Sequence, residues 1–145
     1  MKIAIASDHA GFELKKMILN DLPDLDIKDL GTYSEDSVDY PDFGFKLAEA
    51  VAKKEFDCGI LICGSGIGMS IVANKVNGIR AALCQTKEFA ELSKRHNNAN
   101  VLVLSGRFIS HYLAKEIIEV WLNTPFEGGR HKRRIDKISK YELKR

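Results

Sequence analysis

Gly59-Ile60-Leu61-Ile62-Cys63-Gly64-Ser65-Gly66-Ile67-Gly68 is the stretch on which the reading of the whole chain turns. Residues 59–63 are continuously apolar rather than alternating, so the segment reads as a strand buried on both faces. A strand of that kind needs helices above and below it. Working outward, the same texture recurs. Lys2–Ser7, Asp26–Asp29, Arg80–Cys84 and Val101–Leu104 are further short apolar runs, and amphipathic stretches lie between them. One of these puts Leu14, Met17, Ile18 and Leu22 on a single helical face, and another does so with Leu113, Ile117, Val120 and Trp121. Strand and helix in this alternation predict an α/β fold: five parallel strands in a three-layer α/β/α sandwich, doubly wound in the order 2-1-3-4-5. Gly31 to Pro41 is the longest loop candidate, and Gly128-Gly129 marks a break before a final basic helix. No repeat, low-complexity tract or linker divides the chain. Residues 1–145 are therefore expected to form one domain, with 127–145 as a C-terminal basic segment and helix.

At 145 residues the chain is long enough for a proper core, and 45% hydrophobic against 29% charged residues is a globular balance. A net charge of +2 gives no argument for nucleic acid or a membrane surface. The opening Ile3-Ala4-Ile5-Ala6 is stopped by Asp8 and His9, too short for a secretory core, and no apolar run approaches a membrane span. The three cysteines are an odd number in a chain that needs no staples, which predicts reduced thiols and a cytoplasmic location.

In a doubly wound sheet, ligands bind beyond the carboxyl ends of the strands, where the winding reverses. Here that crevice falls between the first and third strands and is faced by Ser7-Asp8-His9 and by Cys63 to Gly68. Gly64, Gly66 and Gly68, directly before the helical stretch Met69–Asn74, make a cradle of backbone N–H groups at a helix N-terminus. The same glycines would also suit a plain strand-to-helix turn. A dinucleotide fingerprint fits poorly, because Met69 stands where its third glycine should be. A P-loop is excluded, since no Gly-Lys-Ser/Thr follows. Cys63 ends the strand at the mouth of the cradle, and the positive end of a helix favours a thiolate, so this residue is placed to act as base or nucleophile. Its competing role is that of a small buried apolar side chain. Cys58 lies five residues earlier and should point to the opposite face, which argues against a shared metal site or redox pair. Cys58 and Cys84 read as packing residues.

Asp8 and His9, at the exit of the first strand, suit acid–base work or anion contact, although Asp8 could equally cap the helix that starts near Gly11. His96 follows Phe89 and Leu92 at helical spacing and either completes that apolar face or acts with the polar cluster Asn97, Asn98 and Asn100. Arg130 and Arg134, four apart, would share a helix face and could clamp a phosphate, or they belong to a solvated basic tail. Arg107, at the exit of the fifth strand, is another possible phosphate partner. No spacing of His, Cys or carboxylates suggests a metal, and no cofactor is expected.

Taken together, Ser-Asp-His-Ala-Gly-Phe (7–12), Asp-Tyr-Pro (39–41), Ile-Cys-Gly-Ser-Gly-Ile-Gly-Met-Ser (62–70), Ala-Asn-Lys (73–75), Arg-His-Asn (95–97) and Glu-Gly-Gly-Arg-His (127–131) closely resemble the ribose-5-phosphate isomerase B family, which includes galactose-6-phosphate isomerase subunits. The resemblance runs over essentially the whole chain. It implies a Rossmann-like fold, a homodimer or tetramer with sites at the subunit interface, and interconversion of ribose 5-phosphate and ribulose 5-phosphate in the non-oxidative pentose phosphate pathway. It implies Cys63 as the base, with Ser65 beside it, and His96 with Asp8 in ring opening. His9, Arg107, Arg130 and Arg134 correspond to phosphate-contacting positions, and Tyr40, Asn97 and the loop residues Gly64, Gly66, Ile67 and Gly68 to further substrate contacts. Isomerases of six-carbon sugar phosphates, or a non-catalytic phosphate-binding module, are the alternatives.

Overall fold

The computed structural model describes residues 1–145. Its elements in order are β1 (Ile3–Ser7), α1 (Phe12–Asp21), β2 (Ile27–Asp29), α2 (Tyr40–Ala52), β3 (Cys58–Cys63), α3 (Ile67–Asn74), β4 (Ala81–Leu83), α4 (Lys87–Arg95), β5 (Val101–Ser105), α5 (His111–Asn123) and α6 (Arg130–Glu142). Every strand pairing is parallel. The strand expected over residues 59–63 is buried at every position. Alternation along it feeds two cores. Ile60 and Ile62 pack with Leu14, Ile18, Ile117 and Trp121 under α1, α4 and α5. Leu61 and Cys63 pack with Leu47, Val51 and Met69 under α2 and α3. The three-layer sandwich is thus as expected. No helix is long and apolar enough to cross a membrane.

The strand order is not the expected 2-1-3-4-5 but β2-β1-β3-β5-β4. The reason lies in the strands themselves. Val101-Leu102-Val103-Leu104 is buried along its whole length, whereas β4 is three residues long and only half-buried. The interior of a sheet with helices on both faces goes to the strand that is apolar on both faces. The short strand takes the edge, where Asn74 covers it: its side-chain amide exchanges hydrogen bonds with Ala81, accepting from the backbone N–H at 2.8 Å and donating to the carbonyl at 3.0 Å. The outward polar groups of Ala81 are thereby satisfied at the sheet edge.

The swap matters for function, because β5 now lies beside β3, with Ser105 level with Cys63. The residues that follow β5 therefore reach the glycine loop directly. Gly106 N–H donates to Cys63 O at 2.8 Å, and Arg107 N–H to Gly64 O at 3.0 Å.

The loop before α2 is shorter than expected, since the helix begins at Tyr40 and takes Pro41 into its first turn, where a missing N–H costs nothing. Lys15 anchors this loop from behind. Its ammonium is buried and donates to Asp29 Oδ1 at 2.7 Å and to the carbonyl of Thr32. Burial holds this ammonium below its ordinary range, and the Asp29 carboxylate pulls the other way.

Candidate active site

The carboxyl ends of β1, β3 and β5 open on a cleft of about 460 Å³, lined by Asp8, His9, Ala10, Tyr40, Cys63, Gly64, Ser65, Ile67, Gly68, Ile71 and Arg107. Its floor is the turn from β3 into α3. Gly66 is the one loop glycine that does not line the cleft. It sits at φ +82°, and a Cβ there would stand 2.5 Å from Leu83 Cδ1 and 3.2 Å from Leu104 O, so its place in the loop is to make the turn. The bond from Ser70 N–H to Gly66 O, 3.0 Å, is the first of the helical ladder. Gly68 and Met69 come before it, and their N–H groups have no protein acceptor. Ser65 Oγ accepts from Ile67 N–H at 3.1 Å, so this hydroxyl also caps the start of α3.

Cys63 is 5% exposed and belongs to the core under α2 and α3, while Cys58 belongs to the opposite core, as alternation requires. Burial pushes the Cys58 and Cys84 thiols up to about 11, which keeps both as neutral packing groups. Replacing either with Ala is expected to cost about 1 kcal/mol of stability, comparable with losing one methylene from a core. Melting curves would record that loss, and kcat/KM should be unchanged.

Asp8 holds the helix start and also lines the cleft. Its Oδ1 accepts from Gly11 N–H at 3.0 Å. For His9 the backbone sets the tautomer. Val38 N–H donates to its Nδ1 at 3.2 Å, so in the neutral ring the proton sits on Nε2, where it can serve an anion. Tyr40 lies against Gly68, where an added Cβ would come within 2.6 Å of its ring. Gly68→Ala should therefore displace Tyr40 and weaken substrate binding, read as a raised KM with little change in Tm.

His96, Asn97, Arg130 and Arg134 do not reach this cleft. His96 caps the C-terminus of α4, just ahead of the turn that enters β5, at the amino edge of the sheet. Cys63 is level with Ser105, at the far end of that strand. At about 3.3 Å per residue, the length of β5 alone puts roughly 15 Å between the two levels. Instead, His96 stacks on His131 of α6, with ring centroids 4.3 Å apart and planes at 11°. Burial, then the neighbouring His96 and Arg130, hold the His131 imidazole below its ordinary range, against an opposing pull from Glu127. Arg80 ties down the turn beyond His96, donating from Nε to Asn97 O at 2.9 Å and from Nη2 to Asn98 O at 2.9 Å. The roles of Lys15, Val38 and Arg80 carry no sequence signal, because each depends on a backbone carbonyl or amide brought close by folding.

The family model for Ribose/Galactose Isomerase matches residues 3–138.

The chain belongs to that family.

Ribose/galactose isomerases similar to it include ribose-5-phosphate isomerase B of Escherichia coli (strain K12), 45% identical over 99% of this chain and 98% of the relative. Among solved structures, ribose 5-phosphate isomerase from Thermotoga maritima is 55% identical with a TM-score of 0.93, covering 96% of this chain and 97% of that one. Ribose-5-phosphate isomerase B from Mycoplasma genitalium with bound ribulose-5-phosphate is 47% identical, with a TM-score of 0.94 over 99% of this chain and 97% of that one.

Proposed function

We propose that this chain interconverts ribose 5-phosphate and ribulose 5-phosphate through an enediolate, with Cys63 as the base. The observation that carries the reading is the cleft itself: a thiol at the end of a central strand faces free backbone N–H groups, with His9 and Arg107 on the walls. Full-length likeness to an enzyme with bound ribulose-5-phosphate supports it. In the closed sugar, one proton must reach the ring oxygen and another must leave the anomeric hydroxyl. Asp8 and His96 take these two transfers. The Cys63 thiolate then removes the proton from C2. The charge that develops on oxygen is met by the loop N–H groups that have no protein acceptor, Gly68 among them, fixed in place before the reaction. The thiol returns its proton to C1 while the proton of the C2 hydroxyl passes to O1, which completes the exchange of aldose for ketose with no external oxidant or reductant. Ser65, beside the thiol, and Tyr40 hold the sugar. This is a reaction of a cytoplasmic sugar-phosphate pathway. Turnover of ribose 5-phosphate to ketose tests the reading, and kcat/KM should exceed that for allose 6-phosphate or galactose 6-phosphate.

The working unit is a homodimer in which each subunit completes its partner's site. Two features support it. His96, Asn97, Arg130 and Arg134 lie at the wrong edge of their own sheet to serve their own Cys63. Ile67 and Ile71, one turn apart on α3 beside the cleft, are 58% and 57% exposed, an apolar face suited to a second copy. Arg130 and Arg134 of one subunit then clamp the phosphate over the other's Cys63, with His9 and Arg107. The double variant Arg130→Ala/Arg134→Ala should raise KM about 10- to 100-fold, the worth of lost charged hydrogen bonds. Unchanged steady-state kinetics would return this segment to a solvated tail.

A further inference from the structure

His96, Glu127 and His131 form a second cluster of donor atoms, away from the cleft of their own subunit. The two imidazoles and the carboxylate each offer an atom, all within 4.8 Å of one another. They come from three places: the end of α4, the coil before Gly128, and the first turn of α6. Glu127 N–H donates to Arg95 O at 3.0 Å, which ties this coil to the end of α4. The Glu127 carboxylate stands 3.9 Å from His96 Nε2 and also pairs with Arg95 at 3.3 Å. We propose that this cluster is a binding site for a divalent cation of the zinc class, and that its occupation withdraws His96 from the substrate. The binding step stands on the geometry alone, whereas the inhibition rests on the role given above to His96.

Zinc takes imidazole nitrogen and carboxylate oxygen at about 2.0–2.2 Å in tetrahedral array, so its ligand atoms lie roughly 3.3 Å apart. The three donors therefore need to close by an ångström or so. His131 is 8% exposed and serves as the fixed anchor, while His96 and Glu127, with side chains 37% and 38% exposed, are free to turn onto it. The stacked rings must lose their parallel arrangement in the process, because two parallel lone pairs do not converge on one ion. Three protein ligands leave the fourth position to water, as in zinc sites with an open coordination position.

The surroundings also select the ion. Arg95 shares the carboxylate, and the charges of Arg130 and Arg134 act on His131. A hard cation held by charge alone gains little there and finds one carboxylate where magnesium or calcium would want many oxygens. Imidazole donors suit zinc, copper, nickel or cobalt. Nothing in the order of residues suggests the site. Residue 96 lies far from the other two, and Gly128-Gly129 breaks the helix between 127 and 131.

The test titrates cobalt into full-length Cys63→Ala protein, in which no thiol in the cleft competes. The visible ligand-field absorption of four-coordinate cobalt should appear, be displaced by zinc and be indifferent to magnesium. Glu127→Gln and His131→Asn should each weaken cobalt binding by about tenfold or more, since even outer partners of a metal site are worth that much. Glu127 is exposed, so its variant reads cleanly if the buried His131→Asn fails to fold. Absence of the band, or undiminished affinity in Glu127→Gln, overturns the site. In the protein with native Cys63, zinc should inhibit turnover of ribose 5-phosphate, and the Glu127→Gln midpoint should move upward by about tenfold or more. Equal midpoints overturn the inhibitory role. A chain that failed to turn over ribose 5-phosphate at all would remove the isomerase reading, while the cobalt arm would still decide the binding site.

Discussion

Cys63→Ala is expected to lower kcat by about 10²- to 10⁴-fold, the range associated with loss of a positioned general base. KM should change little, because in the proposed site the phosphate contacts and the loop N–H groups would hold the sugar, and the substitution leaves them in place. The C2 proton is the most weakly acidic group in the reaction, and no other side chain in the cleft is a thiol. Cys58 and Cys84 are no substitutes. Both are buried among apolar side chains, and burial pushes both up to about 11. Iodoacetamide should accordingly inactivate the protein by alkylating one residue, and ribose 5-phosphate should slow the loss. Peptide mapping identifies the alkylated position, and steady-state kinetics measures the rest. Turnover of Cys63→Ala within a few fold of the unmodified chain would remove the thiolate mechanism.

The second large effect is a gain of activity from two inactive proteins. Cys63→Ala and His96→Ala, each nearly dead, are to be unfolded together in equal amounts and refolded as a mixture. If each site takes Cys63 from one subunit and His96 from the other, a mixed dimer has one site with both groups and one with neither. About half of the dimers are mixed, so activity should recover to about a quarter of that of the unmodified protein. Were both groups drawn from the same subunit, no mixed dimer would contain a whole site, and activity would stay at background. Native mass spectrometry establishes that mixed dimers formed. Background activity in their presence would refute the shared site.

Much of the architecture is legible in the order of residues. Residues 59–63 and 101–104 are apolar without alternation, and only a strand covered on both faces can use such a run. The glycines at 64, 66 and 68 mark the passage from strand to helix, and the switch-point rule brings Asp8, His9 and Cys63 to one cleft before any coordinate is known. These are local properties. They depend on the chemistry of each segment and on the two-residue and 3.6-residue periods of the backbone.

What the tertiary structure alone decided is lateral placement. The order of β4 and β5 depends on which strand gains more from the interior, a comparison between segments rather than a property of either. That order brings Arg107 beside Gly64. The same holds for the partners of His96. Nothing local says that α6 folds back so that His131 stacks on it and Glu127 flanks it, because that contact joins segments more than thirty residues apart through packing. Lys15 is the plainest case. In sequence it is one lysine on an amphipathic helix, expected in solvent. Only the folded chain supplies Asp29 and the Thr32 carbonyl, which make burying its charge tolerable.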